Sequence, residues 1–449
     1  MKRTGLTLSA WALCACLAAP SIAAQAPKSN AVLFENVRIF DGVADSLSAP
    51  SHVLIVDNLI QRISATPISP PEGAALTTIQ GNGATLMPGM IDAHTHLMMS
   101  TVPMMDLLSS DVVFAAVAAT RGADDMLQRG FTSARDLGGP VFGLKRAIDR
   151  GIVNGPRIWP SGATISQTAG HGDFRLPNEL PARPGDHGYP ERVNYTALAD
   201  GVPAVLQRTR EQLGLGASQI KVMAGGGVSS FYDPLDVNQY TPEEMRAAVN
   251  AASNWGTYVA VHAYTPQAVR QAIDAGVKVI EHGQLLDEPT LKLMAEKGVW
   301  LSLQPFLDDQ DSIPFPDGSV NRVKQLQMTA GTDNAYKWAK QYGVKIAWGT
   351  DTLFDARLAT RQNAQLTKLT RWYSPAEILR MATSGNAELL ALSGPRNPYP
   401  GKLGVVQEGA LADLLLVSGD PLADLSALEN PQQNFRVIMK NGTLFKHLK

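Results

Sequence analysis

Two histidines one residue apart close an apolar run, Pro88-Gly89-Met90-Ile91-Asp92-Ala93-His94-Thr95-His96. In an extended strand, residues i and i+2 face the same side, so both imidazoles can aim at one point. Paired imidazoles at such a point suit Zn²⁺ and related transition metals. A lone His-x-His is as often a core feature as a ligand pair. Here further ligand-type residues stand at or just after the ends of later expected strands: Lys221 in Ile220-Lys221-Val222-Met223, His262 in Val261-His262-Ala263, His282 in Ile280-Glu281-His282-Gly283, and Asp351 in Trp348-Gly349-Thr350-Asp351. A ligand pair on one helix would be three or four residues apart. These residues are far apart in sequence, so only a fold that gathers strand ends can converge them. Lys221 is the odd member, because a protonated amine repels cations and offers no lone pair.

Together these segments resemble the ligand strands of the metal-dependent amidohydrolase superfamily. The likeness covers nearly all of the chain beyond its first residues. It is closest to the imidazolonepropionase-like branch, which includes Xaa-Pro dipeptidase-like and ochratoxin-hydrolysing carboxypeptidases. The resemblance implies two divalent metal ions, with Zn²⁺ the first choice. His94, His96 and Asp351 would hold one, His262 and His282 the other. Lys221, carboxylated to N6-carboxylysine, would bridge them, and the anionic adduct is favoured by the nearby cations. Asp351 would also take the proton of the attacking water and pass it to the leaving amine. His171, in Ser166-Gln167-Thr168-Ala169-Gly170-His171-Gly172-Asp173, would contact the substrate carbonyl or carboxylate, with Asp173 to orient it. Tyr232 is a further carboxylate donor by resemblance. Arg135 and Arg357 are candidates because a guanidinium can grip a carboxylate bidentately.

The implied reaction is hydrolysis of the amide bond in a small-molecule amide or dipeptide with a free C-terminal carboxylate, ochratoxin A among the candidates, and the implied assembly is a homo-oligomer. A cyclic amidase or imidazolonepropionase-like hydrolase is the alternative within enzymes. Outside enzymes it is a periplasmic metal-site binding protein. A carboxylated Lys221 favours the peptidase-like, binuclear choice.

The elements that must position these groups divide the chain in three. Residues 25–88 are expected to be all-β: Val32 to Phe40, His52 to Val56, Leu59-Ile60 and Ala84 to Met87 are strand-like, with turns at Asp41-Gly42 and Asp57-Asn58. Residues 396–449 have the same texture, at Leu411 to Val417 and Phe435 to Gly442. The two blocks are expected to form one small composite β-sandwich. Residues 89–395 alternate short apolar strands with helices, which favours parallel α/β architecture; the strand count approaches the eight of a distorted (β/α)₈ TIM barrel, whose catalytic groups gather at the C-terminal strand ends. Helices are expected over 141–150, 198–213, from Thr241-Pro242 to about Trp255, and from Thr265-Pro266 to Gly276. Gly225-Gly226-Gly227 is expected to be a flexible connection near substrate; the stretches 167–194 and 305–322 are expected to be an active-site wall, a lid or a subunit contact. Trp159, Trp300 and Trp348 are expected in the core.

The 449 residues carry a formal charge of -2 and no basic tract, which argues against a nucleic-acid partner. Residues 1–24 read as a secretory signal: Lys2 and Arg3, then an apolar Leu6 to Leu17 too short to span a membrane, then Ser21-Ile22-Ala23-Ala24. A secreted or periplasmic protein is therefore expected, with lipoprotein cleavage at Cys16 a lesser option. Cys14 and Cys16 are the only cysteines, so the processed chain would lack disulfides and a thiol nucleophile.

Overall fold

The computed structural model describes residues 29–180, 183 and 185–448. The expected signal segment lies outside these residues, apart from which the chain forms a mixed sheet built from both ends and a parallel α/β body.

The mixed sheet takes β1 (Asn30–Ile39), β2 (Ser51–Val56), β3 (Leu59–Ser64), β4 (Ala75–Gln80) and β5 (Thr85–Pro88) from the start of the chain, and β16 (Leu414–Val417), β17 (Phe435–Lys440) and β18 (Thr443–His447) from its end. Its order is β18-β17-β16-β5-β1-β2-β3, with β4 also on β1. β1 joins the two halves: Ala31 to Phe34 pair with β2 and β4, while Arg38 and Ile39 pair with β5. Between them Asn36 takes φ 54°, a kink that lets one strand serve both halves. Phe34, Ile55, Ile60, Leu86, Leu414, Leu416 and Val437 share one buried core, so the two chain ends fold together. β4 escapes the sequence because Ala-Leu-Thr-Thr-Ile-Gln buries only Ile79 and carries no inward–outward alternation.

The body holds β6 (Met90–Thr95), β7 (Phe131–Asp136), β8 (Arg157–Pro160), β9 (Thr164–Ser166), β10 (Thr196–Leu198), β11 (Ile220–Met223), β12 (Val259–Ala263), β13 (Val279–His282), β14 (Trp300–Ser302) and β15 (Ile346–Ala347). They pair in parallel as β6-β7-β8 and as β10-β9-β11-β12-β13-β14-β15. Backbone hydrogen bonds join the two runs: Ala93 N–H to Trp348 O at 3.1 Å and Asp351 N–H to His94 O at 2.8 Å on one side, Ser218 N–H to Pro160 O at 2.7 Å on the other. With β8 and β9 as one strand broken at 161–163, and β10 set aside as an added end strand on β9, this gives eight positions around a distorted barrel.

Helix signals in the sequence hold to within a few residues. Phe142–Asp149, Val202–Leu215, Pro242–Asn254 and Pro266–Ala275 are helical. Thr241 and Glu244 form the reciprocal cap that Thr-Pro-Glu-Glu implies. Thr265 precedes its helix without capping it; its Oγ1 has no partner among the described residues. Arg157 ties the barrel to the terminal sheet through Asp413, Nε to Oδ2 at 3.0 Å, with Asn441 alongside.

Candidate metal centre

The mouth of the barrel brings the scattered ligand candidates together. His94 Nε2 and His96 Nε2 each lie 3.2 Å from Asp351 Oδ1, so the i, i+2 pair does share one side. His282 Nδ1 is 3.8 Å from Asp351 Oδ2. Among the described residues, ligand atoms of His94, His282 and Asp351 all fall within 4.8 Å of one another. Lys221 Nζ is 3.5 Å from His94 Nε2. His262 packs edge-on to His282, ring centroids 4.5 Å apart, and His171 stacks on His262 at 4.0 Å.

Backbone strain helps to aim them. His282 has φ 78° and Asp351 φ 49°. Left-handed backbone costs a non-glycine residue roughly 1–2 kcal/mol and persists only where surrounding structure holds it. In a regular strand Glu281 and His282 would face opposite sides. The turn at His282 lets both side chains reach the histidine cluster. Gly349 allows the close crossing that brings Asp351 in, because a Cβ there would lie 2.4 Å from His94 N.

The donor chemistry fits a metal. Each of the four histidines has one ring nitrogen beside a protein acceptor: His94 Nδ1 at 2.9 Å from Glu281 Oε2, His96 Nδ1 at 3.4 Å from Gly138 O, His262 Nε2 at 3.0 Å from Gly226 O, His282 Nδ1 at 2.7 Å from Gln304 Oε1. Donation to these acceptors leaves the other nitrogen of each ring as a lone pair, as ligation requires. Burial pushes His94 and His262 well below the usual histidine range and His282 and His171 to about 4, so these rings are neutral near pH 7. Burial alone would raise Asp351, yet His94, His96 and His282 hold it below the usual carboxylate range. Burial also lowers the Lys221 amine to about 8, against the pull of Glu281 and Asp351.

The cluster floors a cavity of about 980 Å³, counting its open mouth. Phe174, Val228, Phe306, Ile313, Phe315, Met328 and Phe354 contribute apolar walls. The stretch 305–322 therefore supplies one wall, and 167–194 contributes His171 and Phe174.

The other expected substrate contacts lie elsewhere. Arg135 is fully buried beneath the centre, its guanidinium donating to Ala93 O at 2.6 Å, Tyr258 OH at 3.3 Å and Glu281 Oε1 at 2.7 Å. It does not line the cavity, because an unpaired cation inside a barrel needs a countercharge more than it can offer one to a ligand. Arg357 is exposed, held by Gln310 O at 2.9 Å and Asp355 at 3.5 Å. The Tyr232 hydroxyl donates to Arg175 O at 2.6 Å, outside the cavity lining. Asp173 does not orient His171; it pairs with Arg175 at 2.5 Å. Gln239 Oε1 accepts from the His171 backbone at 3.0 Å, and Asp233 stands 3.9 Å from its Nδ1. Gly225, Gly226 and Gly227 are buried and packed rather than loose: a Cβ on Gly227 would fall 1.8 Å from the His171 ring.

Glu281, Gln304 and Asp233 support the centre without having been singled out in the sequence. Glu281 could have been: a carboxylate inside the apolar strand Val-Ile-Glu-His is costly unless paired. Gln304 and Asp233 carry no such local signal.

Comparison with known proteins agrees with this geometry. A model of the amidohydrolase family matches residues 85–444. An ochratoxinase of Aspergillus niger is 33% identical over 412 residues, which is 88% of this chain and 82% of that protein. A solved prolidase complexed with N-methylphosphonate-L-proline superposes with a TM-score of 0.83 at 32% identity, covering 93% of this chain and 100% of the other. A Xaa-Pro dipeptidase with methionine bound in its active site gives 0.79 at 30% identity, covering 93% and 100%.

Proposed function

The chain belongs to the amidohydrolase family, and from that membership we propose that it hydrolyses the amide bond of dipeptides or N-acyl amino acids bearing a free carboxylate. The observation that carries this is the buried set of imidazoles around Asp351, with the Lys221 amine 3.5 Å from His94.

His94, His96 and Asp351 would hold one divalent cation and His262 and His282 a second, with Lys221 between them; Zn²⁺ suits this nitrogen-rich set. Bound there, such ions lower the pKa of water and polarise a carbonyl. Lys221 can become the shared anionic ligand because a pKa of about 8 leaves roughly a tenth of the amine neutral at pH 7. The neutral amine nitrogen adds to carbon dioxide, forming the N–C bond of a carbamate and releasing one proton. Asp351, kept as a carboxylate by the surrounding histidines, accepts the proton of the attacking water on Oδ and returns it to the departing nitrogen. Without that proton the amine leaves poorly. Neutral His171 lines the cavity from its stack on His262, so its ring can meet the substrate carbonyl or carboxylate. The apolar wall of Phe306, Ile313 and Phe315 favours a bulky acyl group. The ochratoxinase relative supports ochratoxin as one such substrate, and the Xaa-Pro dipeptidase relative supports Xaa-Pro dipeptides.

A panel of N-acyl amino acids and dipeptides, ochratoxin A included, tests this by release of the free C-terminal amino acid. Turnover should vanish on chelation and return with Zn²⁺, with close to two ions per chain by elemental analysis. Turnover of lactams alone would overturn the substrate class.

A further inference from the structure

We propose that Glu281 is a positioning residue for His94, and that Arg135 holds Glu281 in place to do so. The inference deepens the metal reading and rests on it for one of its two measurements.

Three strands contribute to this relay. Arg135 on β7 donates from Nη2 to Glu281 Oε1 on β13 at 2.7 Å, and from Nε to Ala93 O on β6 at 2.6 Å. Glu281 Oε2 then faces His94 Nδ1 on β6 at 2.9 Å. All three side chains have no solvent exposure. The 2.9 Å contact to His94 does not have hydrogen-bond geometry as it stands, and Oε2 has no hydrogen-bond partner among the described residues. A buried carboxylate oxygen needs a donor, and His94 Nδ1 is the group that can supply it.

Gln304 decides against the opposite tautomer. Its Oε1 accepts from His282 Nδ1 at 2.7 Å, which turns its amide nitrogen toward Ser302 O at 3.1 Å and His94 Nδ1 at 3.4 Å. Were His94 Nδ1 a lone pair, it could take that longer amide contact, but it would then oppose a carboxylate oxygen at 2.9 Å. With the proton on Nδ1, Glu281 is satisfied and Gln304 keeps its Ser302 acceptor. His94 Nε2 is then a lone pair directed at the space shared with Asp351 and Lys221. A carboxylate behind a ligating imidazole fixes its ring and raises its basicity. Arg135 supplies the countercharge that lets a carboxylate stand there.

The test uses the full-length protein. Long-range ¹H–¹⁵N spectra of the metal-free form report the His94 tautomer without any metal or substrate. The wild type should show Nδ1–H; Nε2–H would overturn the inference. Glu281→Gln should shift His94 toward mixed tautomers and weaken Zn²⁺, measured against a chromophoric chelator, on the order of 10–100-fold. Glu281→Asp should recover part of that loss. Because Arg135 left unpaired can unfold the barrel, Arg135→Met/Glu281→Gln is made alongside. If this folded double variant keeps wild-type Zn²⁺ affinity and the wild-type tautomer, the relay has no positioning role. If wild type itself binds no Zn²⁺, the proposed function fails, while the tautomer measurement still decides the relay.

Discussion

Lys221 Nζ points at His94 Nε2 from 3.5 Å, with both side chains buried. Two protonated groups could not rest so close out of water. One of the two must therefore be neutral, and the imidazole is; the neutral fraction of the amine, roughly a tenth at pH 7 with its pKa lowered to about 8, is the species that captures carbon dioxide. Growth or reconstitution with ¹³C-bicarbonate should therefore give one carbamate carbon signal in the metal-loaded protein. The signal should be absent from Lys221→Met, which should lose metal and activity by more than the ~10–100-fold typical of deleting an outer partner. A metal-loaded, active enzyme without that carbon would remove Lys221 from the centre.

Asp351 sits where a ligand and a proton carrier coincide, 3.2 Å from two imidazoles. Asp351→Asn conserves shape and removes the proton site. We expect retained far-UV circular dichroism and a fall in kcat/KM of about 10²–10⁴ on amides. Esters, whose leaving alkoxide depends less on an incoming proton, should suffer less. Equal losses on both substrate types would confine Asp351 to holding metal.

The histidine candidates were legible because histidine is rare here and these stand at strand ends, which apolar runs mark well; Lys221 became a ligand candidate only through the family resemblance. Their convergence needed only the alternating pattern of strands and helices. The substrate contacts were not legible in this way. Arg135 was singled out for what a guanidinium can do and Tyr232 by resemblance, but the direction of a side chain depends on three-dimensional packing: Arg135 turns inward to Glu281, and Tyr232 turns away to Arg175 O. The left-handed turns at His282 and Asp351 have no signature in residue type, since neither is glycine. The glycine run misled for the converse reason. Gly227 lacks a side chain to admit the His171 ring, a need visible only once both are placed.

Burying several neutral histidines has a consequence for the metal-free protein in acid. His171 and His282 stand at about 4 in the folded state against 6.5 ordinarily, both from burial. Between those values the unfolded chain binds more protons, so stability rises with pH through this window and falls as pH drops from about 6.5 to 4. His94 and His262, displaced in the same direction, add to the effect. Urea midpoints of chelated protein should decline steadily over that range. Zn²⁺ should raise the midpoint most at the neutral end, where the ligands need not shed protons to bind. A flat profile for the chelated protein would mean that these rings are solvated rather than enclosed.

Selectivity should reside in the wall at 305–322, where Phe306, Ile313 and Phe315 line the cavity together with Phe174. These side chains are only half-buried without a ligand, so a bulky apolar acyl group would complete their removal from water. Replacing Phe315 by Ala deletes contact area but leaves every polar group of the centre intact. The loss should be about 1–3 kcal/mol, roughly 10–200-fold in kcat/KM, for an aryl acyl amino acid. An acetyl amino acid, too small to reach the wall, should be turned over as before. Since the ring takes no part in proton transfer, the change should fall on KM more than on kcat. Equal losses for aryl and acetyl substrates would show instead that Phe315 supports the fold of the wall, and would place the acyl group on the Phe174 and Phe354 side.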